Sequence, residues 1–185
     1  MDKEIKRQTH DHMKKAVEHL NHELARIRTG RASTALLDTI KVDYFGTLTP
    51  VKHIANITIP DAKTILIQPF QSNILQNIEK AIYSSDLGLT PNSDGHVIRL
   101  PIPQLTEERR KEILKLVKKL GEEAKIAIRN VRRDAIEKLR EAEKNKDISE
   151  DDRHRGEKEA QELTDEYIKE IDIIIAAKEE EVMTV

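Results

Sequence analysis

The sequence has no cysteine and no tryptophan. Without cysteine there is no disulfide framework, no thiolate zinc site and no thiol nucleophile, and the redox compartment leaves no trace. Aromatic residues make up only 3% of the chain. Readers of single-stranded nucleic acid stack bases on such rings, so recognition of exposed bases is not expected. Long apolar runs are missing too. The longest, Ile173 to Ala177, is far short of the roughly 20 residues a spanning helix needs. The opening Met1-Asp2-Lys3-Glu4 has no apolar signal-peptide core. The default expectation is a soluble cytoplasmic protein without a membrane partner. Also missing are a glycine-rich phosphate loop, a G-x-S-x-G elbow, an H-E-x-x-H helix and a calcium loop. No catalytic, cofactor-binding or metal site is expected, and the chain does not read as an enzyme.

What the chain does have is charge. Charged residues are 36% of the total and apolar ones only 37%, too few for a compact sphere, which points to an elongated molecule or two slender parts. The net charge of −2 hides a segregation. Residues 105–140 carry 12 basic and 7 acidic side chains, while residues 141–185 carry 7 and 16. A partner feels the field of one face more than the sum over the chain.

Hydrophobic spacing divides the sequence. Met13, Val17, Leu20, Leu24 and Ile27 recur by four and three, predicting a helix over 5–29 that stops before Gly30. From Ile40 the period becomes two: Ile40, Val42, Tyr44; Ala55, Ile57, Ile59; Ile65, Ile67; and finally Val97 to Leu100. Among these strands Ser72 is a candidate cap for a helix running to about Ser84, and Asn92-Ser93-Asp94-Gly95 supplies a turn. After Pro103 the helical period returns from Thr106 to about Lys144, and Ser149-Glu150-Asp151-Asp152 opens a last helix. The acidic run Glu179-Glu180-Glu181 sits at the unfavourable end of that helix dipole, where fraying is expected. No helix can bury its own stripe, so the first must pack with the last two. The fold class expected is α+β with two domains. An antiparallel three-helix bundle (1–30 plus 105–185) carries an inserted small β/α/β domain (31–104), which the double connection makes angular. The hinge candidates are Gly30, Arg31, Pro103, Gln104 and Leu105.

Helix 106–144 carries the functional signal. On a helical wheel Lys111, Lys118, Lys125, Arg129 and Arg132 share one flank, while Glu112, Glu123, Asp134, Glu137 and Glu141 lie mostly on the other. A solvated helix would interleave the signs to gain i, i+4 pairs. A basic stripe several turns long suits a polyanion held through phosphate and shape, with Arg129, Arg132 and Arg133 favoured because a guanidinium forks onto phosphate oxygens. The competing reading turns the stripe toward the acidic last helix. Arg26, Arg28 and Arg31 form a second basic group. His10, His12, His19 and His22 cluster on the first helix, where solvated side chains are a better reading than metal ligands. From these features alone an RNA-binding factor and a coiled-coil adaptor or chaperone-like scaffold binding proteins only rank nearly equal.

Five segments break that tie. They are Ile27-Arg28-Thr29-Gly30-Arg31-Ala32-Ser33, Leu36-Leu37-Asp38, Ser85-Asp86-Leu87-Gly88-Leu89, Leu105-Thr106-Glu107-Glu108-Arg109-Arg110-Lys111 and Val131-Arg132-Arg133-Asp134-Ala135. With their spacing over almost the whole chain, they resemble the ribosome recycling factor family. Two departures are Thr34, where that family often has proline, and Gln104, which replaces a proline of its Pro-x-Pro-Pro linker. The resemblance implies an L-shaped, monomeric translation factor without cofactor. It would bind the post-termination ribosome through large-subunit ribosomal RNA and, with elongation factor G and its GTP hydrolysis, split the subunits and release the messenger. Carried onto this chain, the RNA-binding candidates are Arg132, Arg129, Arg28, Arg31, Arg133, Arg110, Lys125 and Lys118.

Overall fold

The computed structural model describes residues 3–184. In chain order its regular elements are α1 (Lys3–Ala25), β1 (Lys41–Tyr44), β2 (Thr47–Pro50), β3 (Ala55–Asp61), β4 (Thr64–Pro69), α2 (Leu75–Tyr83), β5 (Asn92–Ser93), β6 (Ile98–Pro101), α3 (Glu107–Lys144) and α4 (Glu150–Met183). Two compact units result. One comprises the chain up to Arg28 and from Glu107 to Thr184; the other is Thr29–Thr106. The architecture is α+β.

In the first unit α1, α3 and α4 form a bundle. Met13, Val17, Leu20 and Leu24 of α1 are buried with Ile113, Val117, Ile128 and Leu139 of α3 and Ala160, Tyr167 and Ile171 of α4. Lys138 donates to Gln8 at 2.8 Å while Lys6 meets Glu159 at 3.2 Å and His10 packs edge-on against Tyr167. These pairings run α1 antiparallel to α3 and parallel to α4. Helix α1 ends at Ala25, not at residue 29, because the Arg26 and Ile27 amides reach back only three residues, to Glu23 and Leu24, and that tightening ends an α-helix. The apolar spacing of α3, Ile113, Val117, Leu120, Ala124, Ala127 and Val131, predicts a stripe by fours and threes. The buried stripe drifts instead to Ile128 and Ala135, since 3.6 residues per turn outruns a strict heptad.

Two glycines set the α3–α4 contact. A Cβ on Gly121 would sit 2.8 Å from Ile175 Cγ1, and one on Gly156 would sit 2.9 Å from both Leu139 methyls. Between the helices Lys146 adopts φ 62°. Its amide reaches the Glu143 carbonyl and that of Asp147 the Ala142 carbonyl, the bond pair of a Schellman stop. The predicted cap of α4 is a full capping box. The Ser149 hydroxyl accepts from the Asp152 amide, and the Asp152 carboxylate accepts from the Ser149 amide. At its far end α4 does not fray at Glu179. It continues to Met183, with Val182 buried and Lys178 paired to Glu181 at 3.2 Å.

The second unit holds an antiparallel sheet of order β3-β4-β6-β5 and a separate β1–β2 hairpin. Alternation fixes the sheet faces: Ile65, Ile67, Ile98 and Leu100 point into a core shared with Ile78 and Ile82 of α2. Two strands were not expected from sequence. β2 has no alternating apolar pattern, and β5 is two polar residues previously read as turn. The hairpin turns through Phe45 and Gly46, both at positive φ, which fits a type I′ turn. Ser72 does not cap α2: a short 3-10 turn, Ser72–Ile74, leads into it without a side-chain cap bond.

Candidate nucleic-acid interface

On α3 the basic stripe is not uniform. Lys118 and Arg129 are exposed and make no hydrogen bond or ion pair among the described residues. Arg133 is exposed and donates to the Asn130 side-chain carbonyl, a neutral acceptor. Lys111 pairs with Glu107 at 3.0 Å, both side chains in solvent, an arrangement that leaves most of the field intact. Lys125 differs. Its side chain is only 18% exposed and its Nζ lies 2.6 Å from Asp172 and 3.4 Å from Glu122. The hydrogen bond it donates to Asp172 raises its pKa above the ordinary lysine value. For the RNA-contact candidate Lys125, the α3–α4 register puts an aspartate opposite it, so its charge is met inside the bundle. Glu122, three residues before it, was the sequence signal for this.

Arg132 faces a different neighbour. It is half-buried, and its Nη1 donates to Gln161 Oε1 at 2.7 Å, so a neutral amide stands where Lys125 has a carboxylate. Its Nε is buried with no hydrogen-bond partner among the described residues. Gln161 escaped the sequence reading because its place opposite Arg132 depends on helix register.

The second basic group gathers at one end of the same bundle. Arg26, Ile27 and Arg28 with Arg109, Glu112, Ile113 and Leu116 line a cavity of about 380 Å³. Arg28 is exposed. Arg109, not among the site residues expected from sequence, meets Glu112 at 2.8 Å. Arg110 is half-buried and donates to the Met183 carbonyl at 3.3 Å. This RNA-contact candidate thus also satisfies the C-terminus of α4. Arg31 belongs to the other unit, exposed and without a partner among the described residues.

The hinge candidates also fall in that unit. Gly30 is buried at φ 75°, and its missing Cβ would lie 3.1 Å from Leu105 Cγ. The flanking strands are tied to the β3–β4 turn, as the Ala32 amide donates to the Ala62 carbonyl at 2.8 Å and that of Ile102 to Lys63 at 2.7 Å. Pro103 and Gln104 are exposed in a stretch without regular structure. No helix is long and apolar enough to cross a membrane among the described residues.

With this geometry in place, likeness to known proteins identifies the fold's lineage. Residues 20–183 match the family model described as "Ribosome recycling factor". The chain is 53% identical to the ribosome-recycling factor of Syntrophomonas wolfei, with both chains wholly covered. It is 55% identical to that of Gloeothece citriformis, over 95% of this chain and 96% of the other. A solution structure of a ribosome recycling factor covers all of both chains with TM-score 0.75 at 45% identity. The T. thermophilus ribosome recycling factor, from a study that places it and E. coli elongation factor G on the E. coli post-termination complex, covers 98% of each chain with TM-score 0.64 at 45% identity. The chain belongs to the ribosome recycling factor family.

Proposed function

We propose that this protein binds the post-termination ribosome through large-subunit ribosomal RNA. With elongation factor G and the GTP that factor hydrolyses, it separates the subunits so that the messenger is released. The observation that carries the RNA contact is the open cationic edge of α3, where, among the described residues, Arg129 and Lys118 have no carboxylate partner and Arg132 and Arg133 meet only neutral side-chain carbonyls. A guanidinium in that state binds phosphate oxygens without first breaking an ion pair. Arg31 extends the same chemistry, and Arg28 adds an exposed positive charge. Family membership favours this reading over a protein-only adaptor, and the related factor bound with elongation factor G on a post-termination complex supports the same partner here.

The protein itself supplies no nucleotide chemistry, so the work comes from the partner. The bundle is the fixed arm, and the unit 29–106 is the lever moved against it. Gly30 packs on Leu105, which supports a reading in which the two crossing segments lie together where the lever begins. Mixing purified ribosomes with this protein, elongation factor G and GTP, and following subunit separation by light scattering, tests the proposal. Splitting that needs all three components is expected. Splitting that is unchanged when this protein is left out would overturn it.

A further inference from the structure

Gln161 sits between two charges of opposite sign. Its Oε1 accepts from Arg132 Nη1 at 2.7 Å, and its Nε2 donates to Asp165 Oδ1 at 2.8 Å. Gln161 and Asp165 are four residues apart on α4, so the carboxylate stands one turn along on the same face. Only one amide orientation satisfies both neighbours. Flipped, the NH₂ would face a guanidinium that has only donors, and the carbonyl a carboxylate that has only acceptors. Asp165 therefore fixes which end of the amide Arg132 meets. Behind the contact, Nε of Arg132 is buried without a partner, so among the described residues Gln161 Oε1 is the single acceptor for this guanidinium.

Resting on the reading that Arg132 contacts ribosomal RNA, we infer that Gln161, oriented by Asp165, is a positioning residue: it holds the Arg132 guanidinium in place while leaving its charge uncompensated for a phosphate. The contrast is local. Lys125, two turns away on α3, is held by the carboxylate of Asp172 and has its charge neutralised. A neutral acceptor restrains a cation without competing with the phosphate for it, whereas a carboxylate does both.

The test measures binding to the large subunit against salt. For Gln161→Glu, affinity falls about tenfold, and the log–log salt slope shrinks by about 0.7–0.9, one phosphate's worth, matching Arg132→Ala. In an Arg132→Ala background the same change adds nothing. Asp165→Ala discriminates further. Deleting an acid raises the positive field and on that ground alone would tighten RNA binding, but loss of the amide's orientation predicts weaker binding, and Asp165→Asn, which keeps an acceptor, restores it. An unchanged slope in Gln161→Glu, or tighter binding in Asp165→Ala, overturns the positioning role. If Arg132→Ala itself leaves affinity and slope unchanged, the RNA reading beneath it fails instead. Circular dichroism of each variant checks that the substitutions leave the helices intact.

Discussion

Lys125 and Arg129 lie one turn apart on α3, each with one positive charge, yet they face different surroundings. Lys125 is folded onto Asp172 and Glu122; Arg129 stands in solvent without a partner. A phosphate reaching Arg129 displaces only water, while one reaching Lys125 must break a hydrogen-bonded ion pair. Removing Lys125 accordingly affects the bundle more than RNA binding. Lys125→Ala is expected to lower stability by about 1 kcal/mol, at the upper end of the surface-pair range because the lysine is mostly covered, read as a shift of the denaturation midpoint. The sequence distinguishes these residues only partly. Wheel angles place both on the basic flank, and Glu122 hints at local pairing, but Asp172 is 47 positions away and meets Lys125 only through the register of two long helices.

At the scale of single elements, α3 and α4 carry their specification in a few positions. Gly121→Ala gains about 1 kcal/mol of helix propensity but puts a methyl 2.8 Å from Ile175, and overpacking of that kind costs about 1–3 kcal/mol. The mid-chain Cγ1 of Ile175 yields less easily than a terminal methyl, so a net loss of about 1 kcal/mol is expected in urea unfolding. Lys146→Gly should act in the opposite sense. It relieves a left-handed residue at the helix stop and stabilises by about 0.5–1 kcal/mol. The capping box adds a pH signature. Hydrogen bonds from the Ser149 hydroxyl and amide, then Arg155, hold the Asp152 carboxyl below the ordinary aspartate value. Because the folded pKa is the lower one, the carboxylate's contribution is complete above an unfolded pKa of about 4 and is lost as pH falls through the folded value. A melting series should therefore show the gap between parent and Ser149→Ala narrowing below about pH 4, while the hydrogen bond from the Asp152 amide to the Ser149 hydroxyl keeps it from closing. Caps of this sort were legible in advance, as were the helix stripes and the alternating strands β4 and β6. Strand β2 was not, because its residues are barely buried and so leave no period. Strand β5 was hidden too, because two polar residues pair by backbone alone.

For the whole molecule, the chain crosses between its units twice, once between Arg28 and Thr29 and once between Thr106 and Glu107. A lever driven by a partner needs those crossings to transmit force. Pro103→Gly combined with Gln104→Gly softens the segment that leads into one of them, at exposed positions outside any regular element. Ribosome affinity should stay within about twofold while splitting slows about tenfold, since binding resides in the bundle's charges and splitting in the connection. Equal splitting by the two proteins at saturation would count against a lever. The family was legible from its motifs, whereas the distribution of usable charge depended on which helix residues meet. That distribution is the central claim, and comparing Arg129→Ala with Lys125→Ala tests it most directly, because each removes one unit of charge from the same flank. In large-subunit binding across a salt series, Arg129→Ala should reduce the log–log slope by about 0.7–0.9 and Lys125→Ala should leave it unchanged. Equal reductions in both would show that net charge alone governs attachment and would contradict the account.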